Sequence, residues 1–343
     1  MAYSQYGLVA ATDYNYLISA YLIPIGPDWV VSPNPFNSIW AAGNQNKGYG
    51  QGVSLTNVAA GSTVSAASWA DLVNKVAIMA EHQGTAITAI TSPATTNPVT
   101  YLPALTDNLA LVYANRMNVA AQGSSVPNTA SSNLTWSDYL TFTHTVTFNP
   151  VITGWGTISG ADAARYFFNS GGQLALTFSH ATATAGINLL LNNLAIAAGT
   201  IVLSSPTSGT MSIAGTPFTG VTKVGGSGTA TVNTNAGYYA LNNSETTLFN
   251  QYASTGPAGY LGTRLVITAR TNGTQGLNGD TGSVITITST FDEMPGGLIP
   301  ATGTTTTLSI RPPATITGFT NVWGTPTVSS VIAGAQGGEV IAP

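Results

Sequence analysis

Between positions 141 and 148 every second residue is threonine, and Phe142, His144, Val146 and Phe148 lie between them. Side chains alternate across a strand, so this stretch reads as a β-strand with one face in a core and the other a row of hydroxyls. A helix would scatter both sets around its circumference. Further strands are expected at residues 173–180, 200–203, 211–213, 264–270, 283–291 and 304–310, with turn chemistry at Asn272-Gly273 and Asn278-Gly279-Asp280. Short strands separated by turn signals predict an antiparallel β-sandwich.

The first third follows a helical period instead. Tyr14, Leu17, Ile18, Tyr21 and Leu22 recur behind Thr12-Asp13 until Pro24 stops the run. After a Pro-rich passage, Trp40 and the Gly/Asn-rich residues 43–52, the clearest helix places Trp69, Leu72, Val76 and Met79 on one stripe. Ser65 or Ser68 can cap it, and Asp71 stands four residues before Lys75. A third helix is expected from Pro103 to about residue 121. Residues 123–133, rich in Gly, Ser, Pro, Asn and Thr, mark the change of period. The expected fold is α+β, mainly β. A small N-terminal helical docking domain (1–125) precedes an antiparallel β-sandwich (126–313) with short helices at 160–169 and 245–253, and an extended C-terminal tail (314–343) follows Pro312-Pro313.

What clothes this fold is unusual, since only 6% of the 343 residues are Asp, Glu, Lys or Arg, about a quarter of the ordinary share. Neutral polar groups are cheaper to desolvate than ions, so such a surface suits burial against other protein. With 8 Lys+Arg scattered singly and a net charge of −4, the chain lacks the basic footprint of a nucleic-acid binder. The absence of cysteine excludes disulfides and thiol chemistry. Residues 1–6 lack the basic and apolar regions of a secretory signal, and the most apolar stretch, 187–203, is interrupted by Asn188, Asn192, Asn193 and Gly199. Synthesis in a cytoplasm without membrane anchoring is the expectation.

Candidate chemistry is sparse. His82 ends a helix, where it can serve the last carbonyls. His144 and His180 fall on apolar strand faces and could meet across the sandwich, but no carboxylate or cysteine stands at ligand spacing, so no metal or cofactor is expected. Asp292-Glu293 reads as a solvated turn, Asn272 with residues 278–280 as a hairpin loop rather than a calcium site, and residues 43–48 as a glycine-rich loop without a phosphate-binding helix. A sugar hydrolase would need distant facing carboxylates such as Asp162 and Glu245. Glycan contact has candidates in Tyr238, Tyr239, Tyr252, Tyr260, Trp136, Trp155 and Trp323, although most aromatics in a sandwich are core.

Two ordered sets of residues carry a resemblance. The first runs Gly7-Leu8-Val9-Ala10-Ala11-Thr12-Asp13-Tyr14-Asn15, Trp40, Gly48-Tyr49-Gly50-Gln51, residues 64–75 and His82-Gln83-Gly84-Thr85. The second runs through residues 159–174, Gly237-Tyr238-Tyr239, Thr247-Leu248-Phe249 and Gln251-Tyr252. Together they resemble a family of virion structural proteins of tailed bacteriophages, of the kind found in large contractile-tailed phages of cyanobacteria. The passage 24–39 is longer here than in the family pattern. The resemblance implies a non-enzymatic subunit of the tail, neck or a fibre, located in the virion and partnered by itself as a homo-oligomer or by other virion proteins. It supplies no catalytic residue. Trp69, Leu72, Val76 and Met79 would hold the helical core, and Arg165, Tyr166, Phe167 and Phe168 would pin a helix onto the sheet. The tail would lock a neighbour, so its removal should weaken assembly and spare the fold. The alternatives are a receptor-binding adhesin contacting host-surface glycans and a capsid decoration protein.

Overall fold

The computed structural model describes residues 11–18, 23–25, 28–30, 35–41, 48–52, 55–92, 100–181, 185–256, 259–275, 281–293 and 301–336. The N-terminal region contains α1 (Ala11–Ile18), a hairpin of β1 (Ile23–Ile25) and β2 (Asp28–Val30), α2 (Pro35–Trp40), α3 (Ala66–Gln83) and α4 (Leu102–Ala114). Ser65 caps α3 by accepting the Ser68 N–H at 3.1 Å, and Gly84 closes it by returning its N–H to Ala80 and Glu81. The expected Asp71–Lys75 pair forms at 2.5 Å.

The strands that follow are β3 (Val126–Ser132), β4 (Tyr139–Thr147), the hairpin β5 (Val151–Thr153) and β6 (Gly156–Ile158), β7 (Gln173–His180), β8 (Thr200–Leu203), the hairpin β9 (Met211–Ile213) and β10 (Thr216–Phe218), β11 (Val221–Val224), β12 (Ala230–Val232), β13 (Thr246–Tyr252), β14 (Arg264–Thr271), β15 (Val284–Asp292), β16 (Thr304–Arg311) and β17 (Thr327–Gln336). Helices α5 (Gly160–Asn169) and α6 (Gly186–Ala198) interrupt them. Two antiparallel sheets result, one ordered β11-β8-β7-β16-β3 and the other β12-β13-β14-β15-β4-β17. The fold is α+β and mainly β, as the alternation predicts. In β4, Leu140, Phe142, His144 and Val146 are buried while the threonines between them stay partly exposed.

Several expectations change. Residues 245–253, read as a helix, contain β13 instead; a bulge between Thr247 and Phe249 buries Leu248 and Phe249 together and breaks the strand alternation. The third helix stops at Ala114, and the chain then turns so that Val119 bridges to Ile213. Strand β3 lies inside the passage expected as a linker. Pro127 is tolerated there because β3 is an edge strand whose sole ladder partner in its sheet is β16.

The residues expected as a tail instead supply β17, which pairs with β4, and bury Phe319, Val322 and Trp323. Nor does packing break at 125/126, since one cluster of buried side chains runs from Tyr14 to Trp323. The Gln51 amide donates to Thr320 O at 2.9 Å and accepts from Thr320 N at 2.8 Å, tying the N-terminal region to the C-terminal one. A second, smaller cluster, including Ala175, Val202, Met211, Ile213 and Phe218, covers part of the outer face of the five-stranded sheet.

Candidate assembly surfaces

The side chains expected to hold the helical core and to pin a helix onto the sheet lie in the interior. Trp69, Leu72, Val76 and Met79 are buried along α3, with Tyr14 edge-on to Trp69 at 5.0 Å and Tyr101 at 6.0 Å. Arg165, Tyr166, Phe167 and Phe168 are all buried on α5. Ser159 caps that helix with a bond to Asp162 N, and Asp162 in turn accepts from Arg165 at 2.6 Å. Phe168 stacks on Tyr238 at 4.4 Å, and Phe167 meets Phe148 at 5.3 Å. Asn169 reaches Gly48 O at 2.8 Å, and the Tyr166 ring lies so close to Gly50 that a β-carbon there would come within 2.3 Å of it. Helix α5 is therefore the joint between the helical region and the sheets.

The histidines are occupied or enclosed. His144 Nδ1 bonds Ser330 Oγ at 2.6 Å and its Nε2 bonds Thr306 Oγ1 at 2.8 Å, crossing from one sheet to the other. Ser330 donates onward to Asn128 Oδ1, so its oxygen accepts from His144, which fixes the Nδ1–H tautomer. His180 uses Thr304 and Asn188, each at 2.9 Å. These four bonds use the ring nitrogens that a metal would need, and among the described residues no three His, Asp or Glu side chains form a metal-holding group. His82 does not serve the last carbonyls of α3. Its ring is buried against Tyr49 and Phe319, and that burial lowers its pKa to about 4.

The carboxylates also differ from expectation. Asp292 points outward and accepts from Arg264 Nε at 2.8 Å. Glu293, expected in a solvated turn, is fully buried with neither carboxyl oxygen hydrogen-bonded among the described residues. Burial first and the Asp138 charge second raise it to about 7. Asp162 and Glu245, the distant pair a hydrolase would need, are each paired with a local arginine, Arg165 and Arg270. Residues 278–280 lie outside the described residues, as do residues 43–47 of the glycine-rich loop. Of the aromatic candidates, Trp136, Trp323 and Tyr238 are buried, and Tyr239 and Tyr260 are half-buried. Trp155 and Tyr252 are 48% and 49% exposed.

What remains at the surface is mostly hydroxyl. On the outer face of the six-stranded sheet, register sets Thr141, Thr143 and Thr145 of β4 beside Thr290, Thr288 and Thr286 of β15. Thr268 of β14 extends one of these rows, and Ser329 of β17 another. The charges on this face come in pairs, Arg264 with Asp292 and Arg270 with Glu245 at 3.3 Å. The other sheet repeats the theme, with Thr129 bonded to Thr307 at 2.9 Å and Thr305 to Ser131 at 3.0 Å. Such faces lose little on desolvation compared with charged ones. The helical region adds a shallow apolar groove of about 370 Å³ between α3, α4 and residues 85–90. Among the described residues, no helix is long and apolar enough to cross a membrane. Family models, curated proteins and solved structures offer no match to the chain.

Proposed function

We propose that this chain is a non-enzymatic structural subunit of a tailed-bacteriophage virion, packed against copies of itself or neighbouring virion proteins in the tail, neck or an attached fibre. The observation that carries the reading is the outer face of the six-stranded sheet, where threonines stand in register and each charge is neutralised beside itself. A surface of this kind gives up few ion–water interactions when it is covered. The resemblance of residues 7–85 and 159–252 to virion structural proteins points the same way. A capsid decoration protein would differ only in the surface it docks on.

Immunogold labelling of intact particles with an antibody against the chain tests the proposal. Label at the neck, tail or fibre is the expected result, and particles without label contradict it. A second reading, host-surface glycan recognition, draws on the exposed Tyr252 ring and its polar neighbours.

A further inference from the structure

We infer that the outer face of the six-stranded sheet carries a binding site for a neutral oligosaccharide, centred on a row formed by Tyr252, Arg264, Asp292 and Tyr139. Pairing register places these four side by side on consecutive strands, Tyr252 opposite Arg264, Arg264 opposite Asp292, and Asp292 opposite Tyr139. Two aromatic rings therefore bracket an ion pair across three strand spacings, ~14 Å, a distance that a short oligosaccharide spans.

Each member of the row supplies something a pyranose needs. Tyr252 is 49% exposed and presents ring surface for the apolar face of a sugar. The Arg264 guanidinium lies 5.9 Å from the centre of that ring, and its Nη1 donates to the Tyr252 hydroxyl at 3.4 Å, which holds the ring in place. Arg264 Nε meets Asp292 Oδ2 at 2.8 Å. That leaves Asp292 Oδ1 and Arg264 Nη2 without partners among the described residues, an acceptor and a donor side by side for adjacent sugar hydroxyls.

The far end of the row is built for a ring lying on the sheet. A bulge between Ile332 and Gly334 puts a glycine beside Tyr139, where a β-carbon would stand 3.2 Å from the ring. A side chain at 334 would lift the tyrosine. The pair of opposite charges and the flanking hydroxyls of Thr290 and Thr141, themselves bonded at 3.1 Å, match an uncharged polyol better than an anion or a cation. Trp155, comparably exposed, sits on the β5–β6 turn, away from any such row.

The row occupies one end of the face, the last residues of β13 and β15 and the first of β14 and β4, so the inference rests on the glycan reading above and leaves only the rest of the face to subunit packing. Sugar binding by the purified chain is read separately from assembly. Saturation-transfer NMR and calorimetry with maltohexaose, cellohexaose, laminarihexaose and chitohexaose are the test. At least one is expected to bind, with affinity reduced about tenfold or more in Tyr252→Ala and Asp292→Asn. Gly334→Ala should also weaken binding, while Trp155→Ala should not. Circular dichroism separates loss of binding from loss of fold. Absence of binding to all four sugars overturns the inference, as does binding that survives both Tyr252→Ala and Asp292→Asn in folded protein or that is lost only in Trp155→Ala.

Discussion

The imidazole of His82 lies flat on the ring of Phe319, with centroids 4.2 Å apart and planes 12° apart, and Tyr49 closes the stack edge-on at 5.0 Å. The two partners come from the end of α3 and from the segment after β16. Trp40 and Trp323 also meet Phe319, at 6.4 and 6.3 Å. One side chain from near the C-terminus therefore completes the core of the N-terminal helices. Phe319→Ala should cost about 3–5 kcal/mol, read as a shift of the denaturant midpoint in a single transition. Loss of less than 1 kcal/mol, or two separate transitions, would contradict this joint core.

Removal of residues 314–343 should unfold the chain as well as alter its assembly. The deletion takes away β17, the edge partner of β4, together with the buried Phe319, Val322 and Trp323. A truncated chain with native circular dichroism and an unchanged melting temperature would sink this expectation.

Buried ionisable groups set opposing dependences on pH. Burial lowers His82 and His144 to about 4. Each is neutral in the fold, so its contribution to stability is full above the unfolded value of about 6.5 and is lost as pH falls toward 4. His180 is lowered in the same direction, chiefly by burial. Glu293, raised to about 7, contributes stability that is full below its unfolded value of about 4.5 and is lost as pH rises through 7. Between these unfolded values the two histidines outweigh the one carboxyl, and together these three groups should make stability rise by up to about 1.4 kcal/mol per pH unit. The rise should level off near pH 7, where the histidine and carboxyl contributions cancel. Glu293→Gln should steepen the rise, because it removes the opposing carboxyl contribution. Urea titrations across this range check the rise and its levelling, and an identical profile in the variant would refute the role given to Glu293.

Gly50 has a positive φ of 70° and the Tyr166 ring against its α-carbon. Gly50→Ala meets both a left-handed backbone and a side chain with little room to retreat, for a cost of about 1–3 kcal/mol. Thermal melts measure it, and an unchanged melting temperature would show that Tyr166 can move aside.

The sheets were legible wherever a strand alternates without interruption, as in β4, β14, β15 and β16, because burial of one face imposes period two. Strand β13 was not, since its bulge mimics a helical spacing, and β3 was hidden by the proline and asparagine that an edge strand tolerates. Helix α6 left a usable signal in Ile187, Leu190, Leu191 and Leu194, at helical spacing, masked by the asparagines between them. The row from Tyr252 to Tyr139 could not be read from sequence, because its members lie far apart along the chain and only the sheet register brings them together.

Light scattering coupled to size-exclusion chromatography, run over a range of concentrations, tests most directly whether these hydroxyl-rich faces, whose charges are internally paired, serve self-assembly. The account predicts a defined oligomer whose mass is a multiple of the 35.0 kDa chain. A monomer at every concentration would contradict packing against copies of itself.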